Sequence, residues 1–170
     1  MTRFLILFAL FLGRSLYADQ VAIPDSPFSI ECPPNWKVVS ARPEETRGEY
    51  YPGKGIDSEV GHIHVYKRLS KTVSDAIADT QKTYKKIEGR EARKMPALLK
   101  IEPFHTDNGF SGQIAFFGYR AADSEWIKEQ KFYFAAKDGS IYCACMEAKH
   151  GTPWDQLRNI LKSSLIENKK

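Results

Sequence analysis

Two short turns constrain the C-terminal half of this chain more than any other feature. Asp107-Asn108-Gly109 and Lys137-Asp138-Gly139 supply the residue types that reach left-handed backbone at least cost, and each stands between runs of strand-forming residues. The runs are 98–105, 111–121, 126–136 and 140–148, rich in aromatic and β-branched side chains. Strands joined in succession by tight turns pair with their neighbours, so this half is predicted to be a four-stranded antiparallel meander. Residues 111–121 are apolar at both parities, which places that strand inside its sheet.

The preceding half is more broken. Residues 28–32 alternate and stop at Pro33-Pro34-Asn35, and 36–40 form a second short strand. Residues 41–61 hold Pro, Gly and charge without a period and read as one long loop, with Gly53-Lys54-Gly55 as a turn inside it. Strand character resumes over 62–69. Thr72 then caps a helix in which Val73, Ala76, Ile77, Thr80, Tyr84 and Ile87 recur at helical spacing, and Gly89 ends it. A closing helix opens with Thr152-Pro153-Trp154-Asp155 and presents Trp154, Leu157, Ile160, Leu161 and Leu165 as its apolar stripe. The expected class is α+β: a mainly antiparallel sheet of about six or seven strands flanked by helices, an α/β/α sandwich.

At the other end, Arg3 precedes an unbroken apolar run from Phe4 to Leu12, and Ala18 offers a small residue for cleavage. This is the pattern of an export signal. Nine apolar residues are too short to span roughly 30 Å of hydrocarbon, so no transmembrane segment is expected after processing. The chain therefore divides into a signal peptide over 1–18, an N-terminal extension over 19–27 and one domain over 28–168. The expected location is extracytoplasmic, periplasmic or secreted.

Export also changes the charge. The full chain has 25 basic and 21 acidic residues, a formal +4. Arg3 and Arg14 leave with the leader, and the remaining balance of about +2 excludes a general nucleic-acid binder. Three cysteines remain, Cys32, Cys143 and Cys145. On a strand, Cys143 and Cys145 share a face with their Cα atoms about 6.6 Å apart, so a bridge between them would strain the strand. A bridge from Cys32 to one of them, or three buried thiols, are the readings left open.

Four groups of residues have chemistry to offer. His62 and His64 share a strand face and can supply two metal ligands, with His105 or a cysteine completing the set; the structural alternative is a pair at the flank of the sheet. Cys143 and Cys145, with Met146 beside them, suit a soft metal or thiol exchange, against plain core packing. Lys82, Lys85, Lys86, Arg90, Arg93 and Lys94 form a basic surface suited to an acidic protein or anionic headgroups, or simply a solvated helix face. Tyr50 and Tyr51 mark the long loop as a recognition surface. No hydrolase signature or phosphate-cradling loop is present in the sequence.

The order strand, Pro-Pro-x-Trp, strand, long loop, strand, helix, meander, helix resembles the PsbP-like and Mog-type α/β/α sandwich group. That group includes small exported bacterial proteins of the DcrB type. The likeness rests on residues 28–36, the 72–87 helix after a strand, Asp138-Gly139 before Ile141, and the 154–165 helix. It implies a non-catalytic binding or accessory domain, with no catalytic residues or cofactor to carry over; a photosystem role is not inferred from it. The expected function is thus an exported, monomeric accessory domain with a protein or membrane-surface partner. The alternative is a metal-binding or thiol redox protein using His62, His64, Cys143 and Cys145.

Overall fold

The computed structural model describes residues 19–23, 26–33, 36–39, 54–58, 61–91, 94–121, 124–148 and 154–168. The proposed signal peptide, Tyr50, Tyr51 and the side chains of Arg90 and Arg93 lie outside the described residues.

Among the described residues, ten strands and two helices follow in the order β1 (Asp19–Ala22), β2 (Phe28–Cys32), β3 (Lys37–Val39), β4 (Lys54–Asp57), β5 (Gly61–Lys67), α1 (Val73–Glu91), β6 (Ala97–His105), β7 (Ser111–Ala121), β8 (Ser124–Ala135), β9 (Ile141–Ala148), α2 (Trp154–Ser164) and β10 (Ile166–Glu167). Seven strands make one antiparallel sheet in the order β3-β4-β5-β9-β8-β7-β6, and β1-β2-β10 make a second, smaller one. The expected meander is present as β6 to β9. The β6–β7 and β8–β9 turns place Gly109 at φ 92° and Gly139 at φ 79°, where a side chain would be strained.

The large sheet separates two apolar layers. On one face, Ala76, Ile77, Tyr84 and Ile87 of α1 pack on Ala115, Phe117, Tyr133 and Cys143. On the other, Leu157 and Leu161 of α2 join Phe28 and Ile30 of β2 over Ile63, Ile114, Phe132, Phe134 and Met146. Strand alternation delivers odd residues of β7 to α1 and even residues to α2, which is why that strand is apolar throughout. The β6–β7 turn also holds α2: the Asp107 amide donates to Lys162 O at 2.9 Å, and Asn108 Nδ2 donates to Ser163 O and Leu165 O, both at 3.1 Å. Those contacts satisfy carbonyls that a helix end leaves without partners. Among the described residues no helix is long and apolar enough to cross a membrane.

Four expectations need correction. Residues 28–32 do form a strand, but it pairs with β1 and β10 and does not enter the large sheet. The 41–61 segment is not all loop, because Lys54–Asp57 pairs with β5 from Lys54↔Val65 to Asp57↔His62. Lys54 and Gly55 are therefore strand residues, where a turn was expected. Nor does Gly89 end α1, which runs to Glu91.

Helical Gly89 faces open space: a Cβ at this position would meet nothing within 4 Å. Its cost is therefore the backbone entropy of the unfolded chain alone. Gly89→Ala is expected to stabilise the protein by about 0.5–1 kcal/mol. A rise of roughly 1–4 °C in Tm checks it, and a fall would mean that the helix does not pass through this position.

Candidate functional site

The α1-facing side of the large sheet contains a polar cluster that three strands assemble. Antiparallel register sets His62 opposite Glu147, His64 opposite Cys145 and Tyr66 opposite Cys143. Across the next ladder, Lys131 lies opposite Cys145 and Tyr133 opposite Cys143. Residues directly opposite share a face, so β5, β9 and β8 present these side chains together, beneath Thr80 and Tyr84 of α1.

At the centre lies a buried ion pair. Lys131 Nζ is 3.0 Å from Glu129 Oε2 and 3.0 Å from Cys145 Sγ. Lys131 and Glu129 are both almost wholly buried. Tyr84 OH donates to the other Glu129 oxygen, Oε1, and its ring lies 5.9 Å from the ammonium. Thr80 Oγ1 and Tyr133 OH are 2.8 Å apart. At the rim, His62 Nε2 is 3.5 Å from Glu147 Oε2, and the His62 and His64 rings meet edge to face at 4.6 Å.

Proton affinities follow from this packing. Burial opposes the charge on Lys131, but Cys145, Glu129, Tyr66 and Tyr84 around it outweigh burial, and its pKa lies above that of an ordinary lysine. Burial pushes the Cys145 thiol well up, further than Lys131 brings it down, and it raises Cys143 as well. The hydroxyls of Tyr66, Tyr84 and Tyr133 are raised by the same cause. Glu147 goes the other way. Burial would raise it, yet the hydrogen bond and charge of His62, with Lys131 and Lys128, hold it down to about 2.

This geometry sorts the sequence candidates. His62, His64, Cys143 and Cys145 do come together on one face. His105 does not join them. It is exposed on β6 at the far edge of the sheet, with Nδ1 2.9 Å from Ser111 Oγ. Met146 faces the opposite layer, so it cannot share a soft metal with Cys143 and Cys145. A bridge from Cys32 to either is also excluded, because Cys32 packs in the α2-side layer and the sheet stands between them. Neither Cys143 nor Cys145 is in a disulfide. Thiols held protonated under a helix do not suit thiol exchange.

Three charged members escaped sequence reasoning: Glu129, Lys131 and Glu147. A signal for the first two exists in Glu129-Gln130-Lys131, three polar residues that interrupt both parities of a strand continuing as Phe-Tyr-Phe. Charges two apart on a covered strand face must pair with each other or with a neighbouring strand. Glu129, Cys145 and Glu147 each place one donor atom within 4.8 Å of the other two, which makes them the group able to hold a metal ion among the described residues.

Two open grooves lie elsewhere among the described residues. An open groove of about 690 Å³ runs beside α2 past Glu31, Pro33, Asp107, Asn159 and Lys162, and another of about 410 Å³ borders the β6–β7 turn and β10. Lys82, Lys85, Lys86 and Lys94 are exposed, and Lys94 Nζ lies 5.9 Å from the Tyr119 ring. Tyr119 is the cross-strand partner of Trp126 near the β7–β8 hairpin tip. Trp126 is 66% exposed.

No protein-family model matches the chain, and no curated protein sequence is recognisably similar to it. Among solved structures, the chain is similar to the solution structure of cyanobacterial PsbP (CyanoP) from Synechocystis sp. PCC 6803. The likeness covers 89% of this chain and 93% of that one, with a TM-score of 0.55 and 12% identity. The fold is PsbP-like. At that identity the likeness is one of architecture, and it bears out both the α+β class and the resemblance carried by residues 28–36, the two helices and the Asp138-Gly139 turn.

Proposed function

We propose that this chain is an exported, monomeric, non-catalytic accessory domain that binds a protein partner outside the cytoplasm. The observation that carries the reading is the PsbP-like architecture spanning nearly the whole chain. Two features support it. The leader pattern over residues 1–18 is that of a secretory signal. The reactive side chains of the polar cluster are mostly turned inward, while exposed Trp126 pairs with half-buried Tyr119, whose ring adjoins basic Lys94. An exposed Trp paired with a Tyr is the composition of an interface anchor.

The full chain expressed in a Gram-negative host is expected in the periplasmic fraction, with a mature N-terminus at Asp19 by intact-mass analysis. Crosslinking in the native host is expected to recover one specific protein, and Trp126→Ala is expected to reduce that recovery at least about tenfold. An unprocessed cytoplasmic product would overturn export. Recovery unchanged by Trp126→Ala would move the interface away from the hairpin tip.

A further inference from the structure

Three donors of the polar cluster stand close enough to share one ion, and His62 adjoins one of them, Glu147. Cys145 Sγ and Glu129 Oε2 are 3.9 Å apart, and His62 Nε2 and Glu147 Oε2 are 3.5 Å apart. Glu129, Cys145 and Glu147 bring their donor atoms within 4.8 Å of one another. Bonds of roughly 2.0–2.3 Å in a tetrahedral zinc site set neighbouring donors about 3.3–3.8 Å apart. One nitrogen, one sulfur and two oxygens is a donor mix that zinc accepts and that magnesium or calcium does not favour.

The surroundings fit the same purpose. Tyr84 OH anchors the second oxygen of Glu129, and the His64 ring abuts His62; such outer contacts orient metal ligands. The side chains of His62 and Glu147 are 20% and 28% exposed, so the cage opens to solvent on one side while Glu129 and Cys145 close it from below. Lys131 shows that this position favours positive charge, because its ammonium contacts both Glu129 and Cys145.

We infer that Glu129, Cys145, Glu147 and His62 form a binding site for a zinc-class divalent ion, with the Lys131 ammonium as the internal cation that the ion displaces from Glu129 and Cys145. Loading forms the metal–sulfur bond and releases the thiol proton of Cys145 to solvent. Two carboxylates, one thiolate and a neutral imidazole then leave the loaded cage at −1, and the displaced Lys131 beside it brings the total to zero. The site is independent of the accessory role, and neither reading requires the other.

The test uses the full-length purified protein, reduced, stripped with chelator and titrated with Co2+ or Zn2+ alone. One equivalent is expected to bind with a Kd of about 1 µM or tighter, Co2+ giving thiolate charge-transfer absorbance that Zn2+ abolishes. Cys145→Ser should remove that absorbance, and Cys32→Ala should leave it. His62→Ala and Glu147→Gln, both at the half-exposed rim, should each weaken Zn2+ binding at least about tenfold with the far-UV spectrum unchanged. Absorbance that survives Cys145→Ser, or weak binding indifferent to His62→Ala and Glu147→Gln, would overturn the site. Partner recovery by chelated protein should be unaffected, so failure here and failure of the accessory reading are told apart.

Discussion

Lys131→Met is expected to destabilise the folded chain by about 3–5 kcal/mol. The reason is electrostatic. Glu129 is about 4% exposed and Lys131 about 5%, and they meet at 3.0 Å. Methionine keeps most of the side-chain volume and removes the one cation that touches the Glu129 carboxylate among the described contacts. A carboxylate left in that layer retains the Tyr84 hydroxyl and the weak Cys145 thiol donor, which cannot replace both water and an ammonium. The sheet must then open, or the carboxyl must take a proton. Urea unfolding in the presence of chelator, followed by circular dichroism, measures the loss as a lower midpoint. The companion variant, Glu129→Leu with Lys131→Met, removes both charges and should recover most of it. A single-variant loss below about 1 kcal/mol would mean that water reaches the pair. With Zn2+ present, the Lys131→Met protein should regain stability, because the ion supplies the missing positive charge.

The parts of this molecule that were legible in the sequence are those set by local chemistry. Asn108-Gly109 and Asp138-Gly139 announced their turns because left-handed backbone is a property of the residue itself. Thr72 announced α1, and its hydroxyl does accept from the Asp75 amide at 3.1 Å. What was hidden depended on partners distant in the chain. Lys54-Gly55-Ile56-Asp57 has no alternation of its own and is a strand because β5 offers it a ladder. Ile166 and Glu167 are too few to register as a strand, yet they pair with Ser29 and Phe28. The cluster was half visible. His62, His64, Cys143 and Cys145 share faces by strand parity, which any sequence displays. That Glu129 and Lys131 lie beside Cys145 follows only from the order of strands in the sheet, with β9 between β5 and β8.

Phe28→Ala is expected to cost about 3–5 kcal/mol, although Phe28 belongs to the smaller sheet. Its ring is fully buried. It meets Phe110, Phe134 and Tyr142 edge to face, with centroids at 5.5, 5.2 and 4.8 Å, the arrangement that aromatic quadrupoles favour. Phe134 and Tyr142 belong to the centre of the large sheet and Phe110 to the β6–β7 turn, so one side chain ties the smaller sheet to both. Ile30 and Ile23 assist from the same layer. Removing the ring forfeits its buried area and leaves a cavity between two sheets, which close-packed aromatic neighbours cannot collapse to fill. Ile30→Val, losing one methylene, should cost only about 0.5–1.5 kcal/mol and serves as the scale. Native-state hydrogen exchange on Phe28→Ala should show β1, β2 and β10 amides losing protection while β5, β8 and β9 keep theirs, because the ladders of the large sheet do not pass through β2. Equal loss of protection across both sheets would instead show that they unfold as one unit, with Phe28 at its nucleus.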